Sequence, residues 1–183
     1  MALAAGLLML LFHAVSGFAT LADANGDNDS LLRLVQVRDL LAGQSWYDLT
    51  LYRMGPEGGF VMHWSRLVDL PVAVIIATAE TLTGSQAAGE TAALILWPAL
   101  LYTLSLFCIV RAARLLGGDW AVLPATVVGG LALYFVNVFP PGALDHHNVQ
   151  LALALAALLF LLQARTSRHA ATLAGAAAAL MLA

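Results

Sequence analysis

Apolar runs alternate with short polar breaks along this chain, and one long polar interval interrupts them near the start. Residues 2–22 form the first run, uncharged throughout and long enough to cross a bilayer at about 1.5 Å per residue. A cleaved signal peptide, with Ala22 or Ala24 near its cleavage point, is the competing reading. The lack of a basic segment before the run favours an uncleaved first transmembrane helix over 1–22. Residues 91–110 and 120–139 are also uncharged, with Pro98 expected to kink the first and Pro124 near the start of the second. Pro140-Pro141-Gly142 breaks the chain. Residues 149–164 form another span, with 145–148 as an optional extension of its start. A further apolar helix begins at about residue 170 and is still incomplete where the chain stops, so the sequence reads as truncated.

The polar interval, residues 23–89, reads as a long external loop. It carries Asp23, Asp27, Asp29, Asp39, Asp48 and Glu57 among Arg33, Arg38, Arg53 and Arg66. Within it, residues 30–42 place apolar side chains at helical spacing. Asp29 or Ser30 is expected to cap that helix and Gly43 to end it. Gly55-Pro56 and Gly58-Gly59 mark turns. Residues 67–83 are apolar but hold Asp69, Pro71 and Glu80. The uncharged stretch between the two acids is too short to span, which predicts an interfacial or re-entrant helix. The fold class expected is all-α: a polytopic membrane helix bundle whose first external loop carries short interfacial helices.

That reading sets a topological condition. If 67–83 does not cross, Asp27-Asn28-Asp29 and Asp145-His146-His147 fall on one side of the bundle. Arg111, Arg114, Arg165 and Arg168 then fall on the other, which suits a cytoplasmic placement and leaves the acidic loops periplasmic in a bacterial inner membrane. Composition agrees with the lipid setting. The chain is 61% hydrophobic and only 10% charged, too little charge for the surface of a soluble fold. A net charge of -3 gives no reason to expect nucleic acid. The single cysteine, Cys108, lies in an apolar run, so neither an internal disulfide nor a cysteine-based zinc site is available.

The two acidic clusters are the candidate chemistry. A helix cap with a favourable dipole explains either one alone. Asp145 and His147, at i and i+2 just after a chain break, can also point at a common ion or phosphate. His146 and His147 suit zinc, but the chain has no His-Glu-x-x-His segment to complete a zinc hydrolase.

The order of these features carries a resemblance. Asp29 opens a helix running through Arg33, Arg38 and Asp39 to Gly43; Trp46-Tyr47-Asp48 follows; then come a predicted interfacial helix, two spans and Asp145-His146-His147. This resembles the N-terminal part of the C-type glycosyltransferases, especially the catalytic subunits of bacterial and archaeal oligosaccharyltransferases, over nearly the whole chain. The resemblance implies transfer of a sugar from a polyprenyl-phosphate-linked donor to an acceptor on the external side, with a divalent metal, Mg2+ or Mn2+. Asp29 and Asp145 would be the catalytic acids, and Asp29, Asp145 and His147 the metal ligands. Arg66 and His146 would meet the donor phosphate, and Asp27 would support Asp29. The family's later acidic loop and soluble C-terminal domain have no counterpart here. His63 and Trp64 read as interfacial anchors. The main rival is a transporter or flippase piece, which would place its acids within helices near the bilayer midplane.

Overall fold

In the computed structural model the described residues, 1–21, 27–164 and 167–182, form an almost wholly helical chain. Ala22, Asp23, Ala24 and Arg165 lie outside them. Helix α1 covers Ala2–Val15, so the first span expected over 1–22 is corrected to a shorter helix. Its 14 residues rise about 21 Å, less than the roughly 30 Å of a hydrocarbon core. The stop is local. Gly17 and Phe18 turn left-handed at φ 68° and 51°, the Phe18 amide donates back to His13 O at 2.8 Å, and a 3₁₀ turn follows over Ala19–Leu21.

Helix α2 (Asn28–Leu41) matches the amphipathic helix expected at 30–42. Two short antiparallel strands follow, β1 (Thr50–Leu51) and β2 (Phe60–Val61), with Thr50 opposite Val61. The glycine turns were legible, but two-residue strands leave no alternating pattern to read. Leu51, Met62 and Trp64 hold this hairpin against Leu32 and Val35 of α2.

Helix α3 (Arg66–Thr83) is capped by Ser65 and ends at left-handed Gly84. Helix α4 (Gln86–Gly117) starts at once from its own cap, Ser85. The two form a tight hairpin, with Val72, Ala73 and Ile76 packed on Ala93. Gly89 lets the backbones close up, since a Cβ there would lie 2.7 Å from Ile76 O. Helix α3 therefore runs beside the opening turns of α4, not along its full length.

Helix α4 is the hub. It has 32 residues, about 48 Å at the standard rise, and it contacts α1, α3, α5 (Val122–Val136) and α6 (His146–Gln163), while α7 (Arg168–Leu182) packs on α6. Tyr102, Leu106, Leu133, Phe139 and Ala152 make the central core. Cys108 is buried against Ala156 and Leu159 as a packing residue. Among the described residues, three helical segments, Gln86–Gly117, Asp119–Val136 and His146–Gln163, are long and apolar enough to cross a membrane by length and composition. Their outward faces stay apolar: Leu123, Val127, Val128, Leu131 and Phe135 of α5 are all exposed.

Beneath the hairpin lies a buried ionic cluster. Arg33 Nη1 donates to Asp69 Oδ1 at 2.7 Å, and Arg66 Nη1 to Asp69 Oδ2 at 3.2 Å. Burial pushes the Asp69 carboxyl up, while the guanidiniums of Arg33 and Arg66 pull it back. Trp64 covers Arg33, whose guanidinium carbon sits 4.7 Å from the ring centre. Trp64 is thus a buried cover for a cation and not the interfacial anchor its sequence position suggests; the neighbouring His63 remains exposed.

Candidate functional site

The acidic clusters meet at one end of the bundle. Asp27, Asp29, Asp145 and His147 line a single cleft of about 330 Å³, together with Asn137, Ala143 and Asn148. The first loop and the α5–α6 loop therefore face each other across it.

Asp27, not Asp29 or Ser30, caps α2. Its carboxylate accepts from the Asp29 amide at 3.0 Å, the Ser30 amide at 3.3 Å and the Ser30 hydroxyl at 2.6 Å. Its oxygens are therefore engaged in holding the helix start. Asp29, two residues further on, is half-buried in the cleft wall with no polar partner among the described residues. Of the two aspartates, Asp27 alone builds the helix end.

Ser30 joins the clusters. It is 1% exposed, and its Oγ accepts from the amides of Leu144 at 2.9 Å and Asp145 at 3.2 Å while donating to Asp27. One hydroxyl thus sets the separation of the two acidic segments across more than a hundred residues of chain. Sequence reasoning took Ser30 only as a possible cap.

A second tie fixes the α5–α6 loop. Pro98 within α4 has no amide hydrogen, so the carbonyl four residues earlier, Leu94 O, lacks its helical partner. The Gly142 amide takes it at 2.8 Å. Gly142 adopts φ 102°, open to glycine alone at no steric cost. Pro98 and the Pro140-Pro141-Gly142 break, read separately from the sequence, are two halves of one contact.

Asp145 caps α6 by accepting from the His146 amide at 2.6 Å. The two imidazoles flank its carboxylate: His146 Nδ1 lies 2.5 Å from Oδ1 and His147 Nε2 3.3 Å from Oδ2. One ligand atom from each of Asp145, His146 and His147 falls within 4.8 Å of the others. Asn148 adds an acceptor. Its Nδ2 donates to Ala143 O at 2.9 Å, and its Oδ1 is buried with no partner among the described residues. That bond also fixes the amide's orientation, because a flipped amide would set two oxygens together. Carboxylate, imidazole and amide oxygen are ligand types that fit a divalent cation of the magnesium-to-zinc range. Asp29 lines the same cleft but lies outside the close three-residue group, so it would reach a shared ion through water.

Arg66 does not join them. It is 4% exposed, and its guanidinium donates to Asp69, Gln36 O, Gln44 Oε1 and Asp48 O, the last three at 3.0, 2.7 and 2.7 Å. The expectation that it meets a donor phosphate is corrected: it ties α3 to α2 and to the following loop. The His146 ring lies 4.3 Å from that of His147 and 5.6 Å from Trp64, and it lines a second cleft.

Comparison with protein-family models, curated proteins and solved structures returns no match to this chain.

Proposed function

We propose that the chain is part of a polytopic membrane glycosyltransferase of the C-type kind. In this reading it sits in a bacterial inner membrane with its acidic cleft on the periplasmic side. The cleft transfers a sugar from a polyprenyl-phosphate-linked donor to an acceptor. The observation that carries the reading is the single cleft lined by Asp29, Asp145 and His147. A transporter would hold acids within its helices near the midplane; these sit at helix starts, at one end of the bundle.

Asp145 and His147, with Asn148 Oδ1 and with Asp29 through water, would hold Mg2+ or Mn2+. When bound, such an ion would supply positive charge against the departing phosphate oxygen. The chain's own residues do the rest. Asp29, with no competing hydrogen bond among the described residues, takes the proton from the attacking acceptor group as its bond to the anomeric carbon forms. The bond from that carbon to the phosphate oxygen breaks, and the polyprenyl phosphate leaves with the electron pair. Ser30 and the Leu94–Gly142 bond act as positioning elements that keep the two carboxylates at a fixed separation.

The test is release of polyprenyl phosphate from a labelled donor by membranes carrying the chain. Asp29→Asn and Asp145→Asn are expected to lower the rate by roughly a hundredfold or more, the range of general acid–base effects. Wild-type turnover in both variants would overturn the reading.

A further inference from the structure

The early end of α1 shapes a pocket next to the acidic cleft. Gly17 and Phe18 turn the chain back on the helix, held by the Phe18 amide on His13 O, and Thr20 of the following turn lines the same pocket as His13. The pocket has a volume of about 290 Å³, near the lower end of the range for ligand sites. Tyr102, Tyr134 and Phe139 give it aromatic walls, and Asn137 lines both it and the acidic cleft.

Its polarity differs from that of the cleft. None of its described lining residues is Asp, Glu, Lys or Arg. His13 is 8% exposed, and its imidazole has no hydrogen-bond or ion-pair partner among the described residues. The Thr20 hydroxyl is buried and likewise without a partner among them. Buried polar groups left open favour a ligand that satisfies them. An imidazole this buried, with no carboxylate among the lining residues, stays neutral. Neutral imidazole, hydroxyl and carboxamide each donate and accept, and their complement is a group that also does both, a hydroxyl. A ketone or ester would only accept, and a charged ligand would lose its hydration with no counter-charge in return. The faces of the aromatic rings are electron-rich and suit the polarised C–H bonds on the apolar side of a sugar ring.

We propose that this pocket seats an uncharged pyranose, and that a hydroxyl of this sugar is the acceptor of the transfer. The acceptor role rests on the transferase reading; the binding of the sugar does not. Asn137, at the border of the two cavities, orients the ring so that one hydroxyl enters the acidic cleft. Its oxygen bonds to the anomeric carbon of the donor and its proton passes to Asp29. The bond from that carbon to the phosphate oxygen breaks, and the phosphate leaves with the electron pair. None of Asp145, His146 and His147 lines the pocket, so the acceptor stays clear of the groups assigned to the ion.

Saturation-transfer NMR on the full chain in an uncharged, sugar-free detergent tests the binding. The probes are the methyl glycosides of glucose, mannose and galactose, with methyl glucuronide and cyclohexanol as controls. At least one neutral glycoside is expected to bind about tenfold or more tighter than either control. Thr20→Val keeps the shape and removes the hydroxyl. Asn137→Gly keeps the left-handed turn at φ 60° and removes the carboxamide. Each should weaken binding by roughly fivefold or more, the loss of one hydrogen bond, while Asp145→Asn should leave it unchanged. Binding of none of the three glycosides, equal binding of either control, or unchanged binding in both Thr20→Val and Asn137→Gly would overturn the site. Turnover with labelled donor tests the acceptor role: label should appear on the glycoside that binds, and Asn137→Gly should raise its KM by a similar factor. Label on an asparagine peptide and none on the glycoside would overturn the acceptor. Transfer to no acceptor at all would overturn the transferase reading and the acceptor role with it, and would leave the sugar site standing on its binding.

Discussion

At the scale of single residues, the division between Asp27 and Asp29 is decided by where α2 begins. The sequence shows an acidic pair at a helix start, but a shift of one or two residues exchanges the capping residue and the free one, and apolar periodicity does not resolve boundaries that finely. Ser30 and Arg66 were illegible for another reason: their partners, Leu144, Asp145, Gln36, Gln44 and Asp48, come from other segments. Replacing Ser30 with Ala strands two buried amides. Thermal or denaturant unfolding should show a loss of about 1–3 kcal/mol; a neutral result would contradict the role given to its hydroxyl. Asp48 gives a pH test. The amide and hydroxyl of Thr50 and the hydroxyl of Tyr52 hold its carboxyl down at about 2, against about 3.9 for an unperturbed aspartate. A depressed acid stabilises the fold above its unfolded pKa, and that contribution is lost as pH falls through the folded value. Protection of the Thr50 amide, measured against its intrinsic exchange rate, should therefore hold at pH 5 and fall between about pH 4 and 2, and Asp48→Asn should remove most of that dependence.

At the scale of elements, helices 30–42, 67–83, 91–110, 120–139 and 149–164 were legible to within a few residues at most ends, because charge-free runs and glycine or proline stops bound them. Two exceptions are instructive. Helix α1 ends seven residues early because Gly17 and Phe18 turn left-handed inside an otherwise apolar run, a stop that hydropathy does not register. Helix α4 starts five residues before the predicted span and ends seven after it, since Glu90, Arg111 and Arg114 are compatible with helix though not with lipid. The Pro98–Gly142 contact shows how a flaw in one element becomes an anchor for another. Pro98→Ala restores an amide that competes for Leu94 O. Hydrogen exchange of the Gly142 amide should then accelerate while α4 stays helical. Unchanged protection of Gly142 would show that the loop is held by other means.

At the scale of the molecule, α3 lies beside the opening turns of α4, and this leaves both acidic segments at one end. The span count made that arrangement depend on whether 67–83 crosses the membrane; the helical packing brings the two segments to one cleft. For a bundle set in a membrane, single cysteines in a Cys108→Ala background report sidedness. Glu57→Cys, on the hairpin side, and Asp119→Cys, at the far end of α4, should label with an impermeant maleimide from opposite faces. Labelling of both from one face would contradict the proposed embedding.

The central claim is that two segments distant in the chain serve one divalent ion. Mn2+ binding, followed by loss of the free-ion resonance signal, tests it most directly. Asp29→Asn and Asp145→Asn should each weaken binding by roughly tenfold or more, and the double variant should lose clearly less than the product of the two, as expected of coupled residues at one site. Full-strength Mn2+ binding in Asp29→Asn, or independent losses that simply multiply, would contradict a shared site.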